Sequence, residues 1–445
     1  MRVSMIGAGY VGLVTGLCLA EKGHHVICVE ADPAKVATLR SGVATIHEPG
    51  LDELLQRHLG SRFEVTSDLA DAVRRTDLTM IAVGTPFSGS RIDLTYVRQA
   101  AREVGSAIAG KETYHVVVVK STVVPGTTDD VVIPILEEYS HRQAGAELGV
   151  GTNPEFLSEG TAIADFLAPD RIVIGGNDQR CRDLIAGLYE QFPGVPQLQV
   201  ANKVAEMIKY ASNSLLATLI SFSNEIGNLC TAIGGIDTRD VFRGVHLSQY
   251  LTPRTADGKR QTAPIAAFLS AGCGFGGSCL PKDVQALIGH GRDHDQPMPL
   301  LGAVMDVNNG QPGRMIGLLK KRFPHLAGLK TTVLGLAFKP DTDDIRESPA
   351  IPIVRQLIAE GAQVRAYDPA ANENARRLLG DVPVEFCCEL EAAVADVDAA
   401  LLVTRWDEFA RIPELFRGRT PQPLLVDGRR MIDPASIDNY EGIGV

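Results

Sequence analysis

Cys279 closes a run with four glycines, GCGFGGSCLPKD, and Pro281 follows it where proline is tolerated in a first helical turn. The spacing predicts a helix that starts at the cysteine. A free thiol has a pKa of about 8.5, and the positive end of a helix favours the thiolate, the form that attacks carbonyl carbon. Asp283 lies four residues on, on the same face. Lys209 and Asn213 are also four apart, in the segment EMIKYASN, and place an ammonium beside an amide that together suit a developing alkoxide. Glu155 and Glu159 repeat the spacing in NPEFLSEG, and either could activate a water as a general base. Taken singly, a core thiol, a lysine lying along an apolar helix and an exposed glutamate are each commoner than a catalytic group.

A second constellation points to a dinucleotide. Gly7, Gly9 and Gly12 follow an apolar run and open a helical pattern, so missing side chains let the backbone approach a pyrophosphate at a helix end. Tyr10 and Val11 lie inside this turn. Glu30 stands at the end of the next strand, eighteen residues after Gly12, where its carboxylate accepts from ribose hydroxyls and repels a 2′-phosphate. Ala31 and Asp32 add no cation for such a phosphate, so NAD is expected rather than NADP. Lys35, the turn at Thr85-Pro86 and the pair Ser121-Thr122 are assigned to further walls of that site.

These groups need rigid strand ends and helix starts. The opening segment to Pro33 reads as strand, glycine turn, helix and strand, and TMIAVGTP and HVVVVKSTVVPG continue as strands of a parallel sheet covered on both faces. Val200 to Ile226 holds neither Gly nor Pro and predicts one long apolar helix, buried in the chain or against a second copy. From Lys330 the order strand, loop, helix, strand returns, with AALLVTRW and PLLVDGRRM as later strands. The expected architecture is α/β: two Rossmann-like doubly wound domains joined by a long central helix and helical dimerisation domain. The boundaries drawn are 1–199 for NAD binding, 200–310 for the central helical part with the cysteine segment, and 311–445 for the second Rossmann-like domain.

With 445 residues the chain exceeds one ordinary domain, and 45% apolar against 22% charged residues is a globular balance. Forty-three basic against 54 acidic residues leave −11, which argues against a nucleic-acid partner. No apolar run approaches the ~18 residues of a membrane span, so a cytoplasmic protein without a membrane partner is expected. Eight cysteines show no metal-type spacing, and no metal site is expected. Cys273, Cys387 and Cys388 read as packing residues.

Together GAGYVG, NPEFLSEG, EMIKYASN, GFGGSCLPKD and GLAFKPDTDDIRESP resemble the signature blocks of the nucleotide-sugar 6-dehydrogenases, the UDP-glucose and GDP-mannose dehydrogenase family, and DGRR near the C-terminus extends the match. The resemblance implies a nucleotide-sugar substrate, a C-terminal domain gripping the nucleotide, a homodimer through the central helix and two oxidations at one site. It makes Cys279 the nucleophile, Lys209 and Asn213 the alkoxide and oxyanion stabilisers, Asp283 the carboxylate that organises protons and water, and Glu159 and Thr122 water-handling residues. Phe156, Leu157, Phe275, Gly276, Phe338 and Lys339 line the substrate, with Glu155 and Tyr250 assigned beside them. Arg346 reaches the cofactor, and Arg429 joins Lys339 as a second cation for phosphate.

Residues 246–267 depart from the family pattern. Where related bacterial enzymes carry a short segment with one arginine for the neighbouring site, this chain offers Arg254, Lys259 and Arg260. HLSQYL is nearer the GDP-mannose branch, whereas NPEFLSEGTAIADFLAPDRIVIG is nearer the UDP-glucose branch. A two-electron hydroxy-acid dehydrogenase needs no cysteine, and a silent nucleotide-sugar binder needs no such set of reactive groups.

Overall fold

Eight strands build the first sheet, the inner ones β4 to β7 buried on both sides and the edge strands β3 and β8 partly exposed: β1 (Arg2–Ile6), β2 (His25–Val29), β3 (Phe63–Thr66), β4 (Leu78–Ile81), β5 (His115–Val119), β6 (Leu148–Thr152), β7 (Ile172–Gly176) and β8 (Gln197–Val200). Their order is β3-β2-β1-β4-β5-β6-β7-β8. In the computed structural model the chain divides into two units, Met1–Ser212 and Asn213–Val445, and every residue except Ser90 is described. One core, with Leu13, Leu17 and Phe63, covers one face of this sheet, and another, with Val97, Val104 and Leu136, covers the other. Buried on both faces, β5 is a continuous run, HVVVV, rather than an alternating one.

The sheet is not parallel throughout, as the sequence had suggested: β7 runs antiparallel to β6, with Gly151 opposite Gly176 and Thr152 opposite Gly175. After β6 the chain forms the NPEFLSEG loop and the short helix Ala162–Leu167, whose Ala162 and Phe166 join the core of the first helix. It then re-enters the sheet from the opposite end. Glycines are required where the strands meet, since a Cβ on Gly151 would stand 2.5 Å from both the Gly175 carbonyl oxygen and Ile185.

The second unit holds a six-stranded sheet, all parallel, in the order β11-β10-β9-β12-β13-β14. Its strands are β9 (Lys330–Leu334), β10 (Gln363–Tyr367), β11 (Val384–Phe386), β12 (Ala399–Leu402), β13 (Leu424–Asp427) and β14 (Tyr440–Gly442). This is the doubly wound order, whose ligands lie beyond the carboxyl ends of the strands.

The long helix runs Asn202–Ile233, further than Ile226, and the boundary between the units falls within it. Tyr210 and Ala217 are buried, but Val204, Met207, Leu215, Phe222, Leu229 and Ile233 are exposed. Within one chain the helix is therefore half covered. Residues 246–267 fold on themselves: Arg254 and Arg260 pair across a small bridge, and Thr252 Oγ1 donates to the His246 carbonyl at 2.6 Å. Arg260 donates to the Leu247 carbonyl, Lys259 pairs with Asp257 at 3.0 Å and Arg254 reaches the Gly258 carbonyl at 3.3 Å. Among the described residues no helix is long and apolar enough to cross a membrane, and no group of His, Cys, Asp and Glu has the arrangement of a metal site.

Gly151→Ala is expected to lower the unfolding free energy by about 1–3 kcal/mol through overpacking at the β6–β7 junction, measured by urea unfolding. Wild-type stability in that variant would contradict the close pairing.

Candidate functional site

In the first unit β1 ends at a cradle shaped by absent side chains. Gly7 has a φ of 103°, and a Cβ on Gly12 would lie 2.0 Å from the Gly7 carbonyl oxygen, whereas one on Gly9 would meet nothing within 4 Å. Gly7 and Gly12 are needed to make the turn, and Gly9 leaves room for a ligand. The helix Tyr10–Glu21 starts there with no side chain capping it, so its first N–H groups can attract a pyrophosphate. Glu30 is held by the N–H groups of Ala8 at 3.2 Å and Asp32 at 3.0 Å. Gly7, Gly9, Glu30, Lys35, Gly84 and Tyr96 line a cavity of about 490 Å³. The loops after β4 and β5 are tied together, Ser121 Oγ donating to the Val83 carbonyl at 2.7 Å and Thr85 Oγ1 to the Thr122 carbonyl at 3.0 Å. Pro86 follows in the same loop. These residues fit NAD: a cradle for the pyrophosphate and a carboxylate for a ribose.

Tyr10 has a different task from that of its neighbours in the glycine turn. Its hydroxyl donates to Glu48, a buried carboxylate that also accepts the N–H groups of Gly160 and Ala162, each at 2.7 Å. Glu48 thus ties the start of the first helix to the loop carrying Glu159. Burial, with Glu48 next, pushes the Tyr10 hydroxyl well above the usual range, and the half-buried Glu159 adds to it.

Glu155, Phe156, Leu157 and Lys209 come together. Lys209 is buried, not lying out to solvent, and its Nζ is 3.0 Å from Glu155 Oε1, both side chains being 5% exposed. Glu155 Oε2 accepts the Leu157 N–H at 2.6 Å. Burial pushes the Glu155 carboxyl up, but Lys209, the Leu157 N–H and Lys120 outweigh it and hold the group below its ordinary value. Glu155 is therefore the counter-ion of Lys209, which leaves Glu159 as the other glutamate of the pair. The Arg171 guanidinium lies 3.9 Å from the centre of the Phe156 ring, and Lys120, Glu155, Phe156, Leu157, Arg171 and Tyr189 line a cavity of about 280 Å³.

Sequence reasoning missed Lys120, Glu206 and Glu48. Lys120 is 3% exposed and donates to Asn153 Oδ1 at 2.9 Å, and burial, against the pull of Glu155, brings its pKa down to about 8. Glu206, one turn before Lys209, accepts the N–H groups of Gly126 at 2.6 Å and Thr128 at 2.9 Å and fixes the chain beyond Thr122. Burial raises its pKa to about 7. The available signal was a charge next to residues already chosen: Lys120 precedes Ser121, and Glu206 precedes Lys209 by three.

In the second unit Cys279 is the N-cap of the helix Leu280–Asp293, which no side chain caps. Ser278 Oγ lies 3.5 Å from its sulfur, and the Asp283 N–H donates to the Cys279 carbonyl at 2.8 Å. Asp283 is 1% exposed, accepting from Asn213 Nδ2 at 2.7 Å and Lys282 Nζ at 2.7 Å. The glycines before Cys279 are needed for close approach: a Cβ on Gly276 would lie 2.3 Å from the Glu347 carbonyl oxygen, and one on Gly277 2.7 Å from the Phe338 ring. Phe275 and Asn308 exchange hydrogen bonds of 2.8 and 3.0 Å, and Arg429 Nη1 reaches the Gly274 carbonyl at 3.0 Å. This unit thus gathers the cysteine run with Phe338 and Arg429.

Of the remaining residues, Arg346 joins the cysteine run through its carbonyl, which accepts the Gly277 N–H at 2.8 Å. Tyr250 is 86% exposed. The Arg346 guanidinium meets Asp344 at 2.6 Å, and Lys339 Nζ is 5.8 Å from the centre of the Phe338 ring. Cys273 and Cys387 are buried, but Cys388 is exposed, which corrects its reading as a packing residue; no disulfide forms among the described residues.

Two outcomes are expected. NADP should bind more weakly than NAD in calorimetry, because a 2′-phosphate would face Glu30; equal affinity contradicts that role. Lys120 gives up its proton in the native state before the unfolded chain does, at about 10.4, so wild type should gain stability relative to Lys120→Met as pH rises from about 8 toward 10. The gain should reach about 3 kcal/mol, read from urea unfolding at several pH values; a pH-independent difference would contradict the burial of its charge.

Family models match three successive stretches: residues 1–193 the NAD binding domain of the UDP-glucose/GDP-mannose dehydrogenase family, 203–310 its central domain and 332–434 its UDP binding domain. The chain is 42% identical over 448 residues to a UDP-glucose 6-dehydrogenase of Haloferax volcanii, covering 100% of both. It is 37% identical to a GDP-mannose 6-dehydrogenase of Pseudomonas syringae pv. tomato, covering 97% of this chain and 95% of that one. A solved UDP-glucose dehydrogenase from Pyrobaculum islandicum superposes with a TM-score of 0.90 at 40% identity, covering 100% of this chain and 97% of that one. A glycine cradle fitted to NAD and a full-length match to enzymes of one kind place this chain in the UDP-glucose/GDP-mannose dehydrogenase family, as an NAD-dependent oxidoreductase.

Proposed function

We propose that the enzyme oxidises the C6 alcohol of UDP-glucose to the carboxylate of UDP-glucuronate in two successive two-electron steps. The observation that carries this reading is Cys279 at the uncapped start of its helix, with Asp283 buried one turn on and bonded to Asn213. An alcohol-to-aldehyde dehydrogenase has no need of a nucleophile, whereas an aldehyde must gain one before it can lose a second hydride. The names of the relatives favour UDP-glucose; the GDP-mannose relative at 37% identity keeps that sugar nucleotide as the second reading.

When bound, NAD supplies the hydride acceptor, one molecule for each oxidation. The chain's own groups do the rest. A base acting through water takes the C6 hydroxyl proton as the first hydride leaves, and the Lys209 ammonium and the Asn213 amide balance the charge growing on that oxygen. The Cys279 thiolate then adds to the aldehyde carbon, forming a C–S bond and a tetrahedral oxyanion. Loss of the second hydride from this thiohemiacetal leaves a thioester. A water, managed by Asp283, Glu159 and Thr122, adds to the thioester carbon; the C–S bond breaks, the sulfur leaves as thiolate and the acid is released. Glu155, Phe156, Leu157, Tyr250, Phe275, Gly276, Phe338, Lys339 and Arg429 are the residues we assign to the substrate, and Arg346 to the cofactor.

By function the chain divides into 1–199 for NAD binding, 200–310 for the central helical part with the cysteine segment, and 311–445 for the sugar nucleotide. The exposed apolar side of the long helix, with Leu215, Phe222 and Leu229 seven residues apart, supports a homodimer through that helix. A cytoplasmic location suits eight cysteines without a disulfide.

Two NADH should form per UDP-glucose consumed, followed by absorbance and product chromatography; one NADH with released aldehyde would overturn the thioester route. Cys279→Ser should lose acid formation, and Lys209→Ala should lower kcat by roughly 10²–10³-fold; acid formation at the wild-type rate in either would contradict its role.

A further inference from the structure

The two units repeat one local construction and use it in opposite ways. The Gly7 N–H donates to the Val29 carbonyl at 2.8 Å, and the Gly335 N–H to the Tyr367 carbonyl at 2.8 Å. Gly7 and Gly335 therefore occupy the same point after the first strand of each sheet, and Glu30 and Asp368 the same point after the second. In the first unit only one N–H of the glycine turn, that of Ala8, reaches Glu30, whose other oxygen accepts from its own neighbour Asp32, and the uncapped helix begins one residue past Gly9. In the second unit Leu336 and Ala337 both donate to Asp368 Oδ2, at 2.7 and 2.9 Å. The Trp406 indole N–H joins the same oxygen at 3.1 Å, while Oδ1 accepts from Ala370 at 2.9 Å and Ala371 at 2.8 Å. Asp368 is 1% exposed. Ala337 stands where the first unit has Gly9, and the next helix does not begin until Ala350.

The Ala337 amide, whose counterpart in the first unit is the Gly9 amide of the pyrophosphate turn, is thus already held by the chain's own carboxylate. We propose that Asp368 is a positioning residue: it closes the dinucleotide-type loop of the second unit against a dinucleotide and sets Phe338 and Lys339, the two residues after Ala337, for a nucleoside diphosphate. The proposal rests on the reading of GLAFKP as part of the nucleotide-sugar site. A shorter reach explains the change of acid. Aspartate has one methylene fewer than Glu30, so its carboxylate stays at the loop's backbone. The loop is clamped from the other side by Thr404, whose Oγ1 donates to the Ala337 carbonyl and whose Cβ leaves no room for a side chain on Gly335, 2.4 Å from where one would begin. Five donors on one buried carboxylate make a stiff anchor, since removing it would strand several N–H groups.

The test uses the full-length enzyme and calorimetry with UDP and, separately, NAD. Wild type should bind UDP, Lys339→Ala should weaken it, and NAD should bind once per chain. Asp368→Ala should weaken UDP by about tenfold through lost preorganisation, raise KM for the sugar nucleotide more than it changes kcat, and leave the NAD dissociation constant within about twofold of wild type. Asp368→Asn, nearly isosteric and keeping one acceptor, should fall between and should show faster amide hydrogen exchange confined to residues 335–340; it carries the comparison if the alanine variant is not recovered folded. Unchanged UDP affinity in Asp368→Asn, an equal loss of UDP and NAD binding, or a second NAD per chain would overturn the proposal. Undiminished UDP binding by Lys339→Ala, alongside a selective UDP loss in the Asp368 variants, would instead overturn the placing of Lys339 at the phosphates.

Discussion

A parallel strand that ends at a turn leaves backbone N–H groups pointing out of the sheet, and each needs an acceptor. Both sheets of this protein meet that constraint just after their first strand. The first meets it by keeping the turn in glycine and starting an uncapped helix, so that the remaining donors await an anion. The second meets it with Asp368. One topology therefore yields a dinucleotide site in one unit and a fixed loop in the other, through the choice of a few residues after the first and second strands.

Charge burial is the second organising cost. Lys120, Glu155 and Lys209 are all removed from water, and isolated ions in that setting would be strongly disfavoured. Lys209 and Glu155 pair directly, and Lys120 is left with a neutral amide acceptor, Asn153, and a depressed pKa. Such an arrangement is poor evidence for stability, since a buried pair often does no better than apolar residues of the same size. It is better understood as holding one ammonium fixed near the NPEFLSEG loop. Glu48 and Glu206 serve similar ends with backbone donors, each fixing a turn next to a residue assigned to the site.

What the sequence made legible was local. The glycine turn, Glu30 at the end of β2, the helix start at Cys279 and the return of the strand pattern at Lys330 each depend on neighbours within a few dozen residues. What stayed hidden was set by distance. Glu48 bonds to residues more than a hundred positions away, Glu206 to a loop about eighty away, and Asp368 to a loop some thirty away. A glutamate before Pro49 looks like any turn acid until its partners arrive. The reversal at β7 was equally hidden, because its strand is as apolar as the parallel ones and only the glycines at the junction mark it. The bonds that Arg254, Lys259 and Arg260 make within their own segment, to the Gly258 carbonyl, Asp257 and the Leu247 carbonyl, were equally unreadable from their charge alone.

A covalent role for Cys279 is measured most directly by mass spectrometry of the enzyme quenched in acid during turnover of UDP-glucose and NAD. A fraction of the peptide carrying Cys279 should gain the mass of the sugar nucleotide in thioester linkage, labile to hydroxylamine. Acid product accumulating while that peptide stays unmodified at every quench time, and with Cys279→Ser equally active, would contradict it.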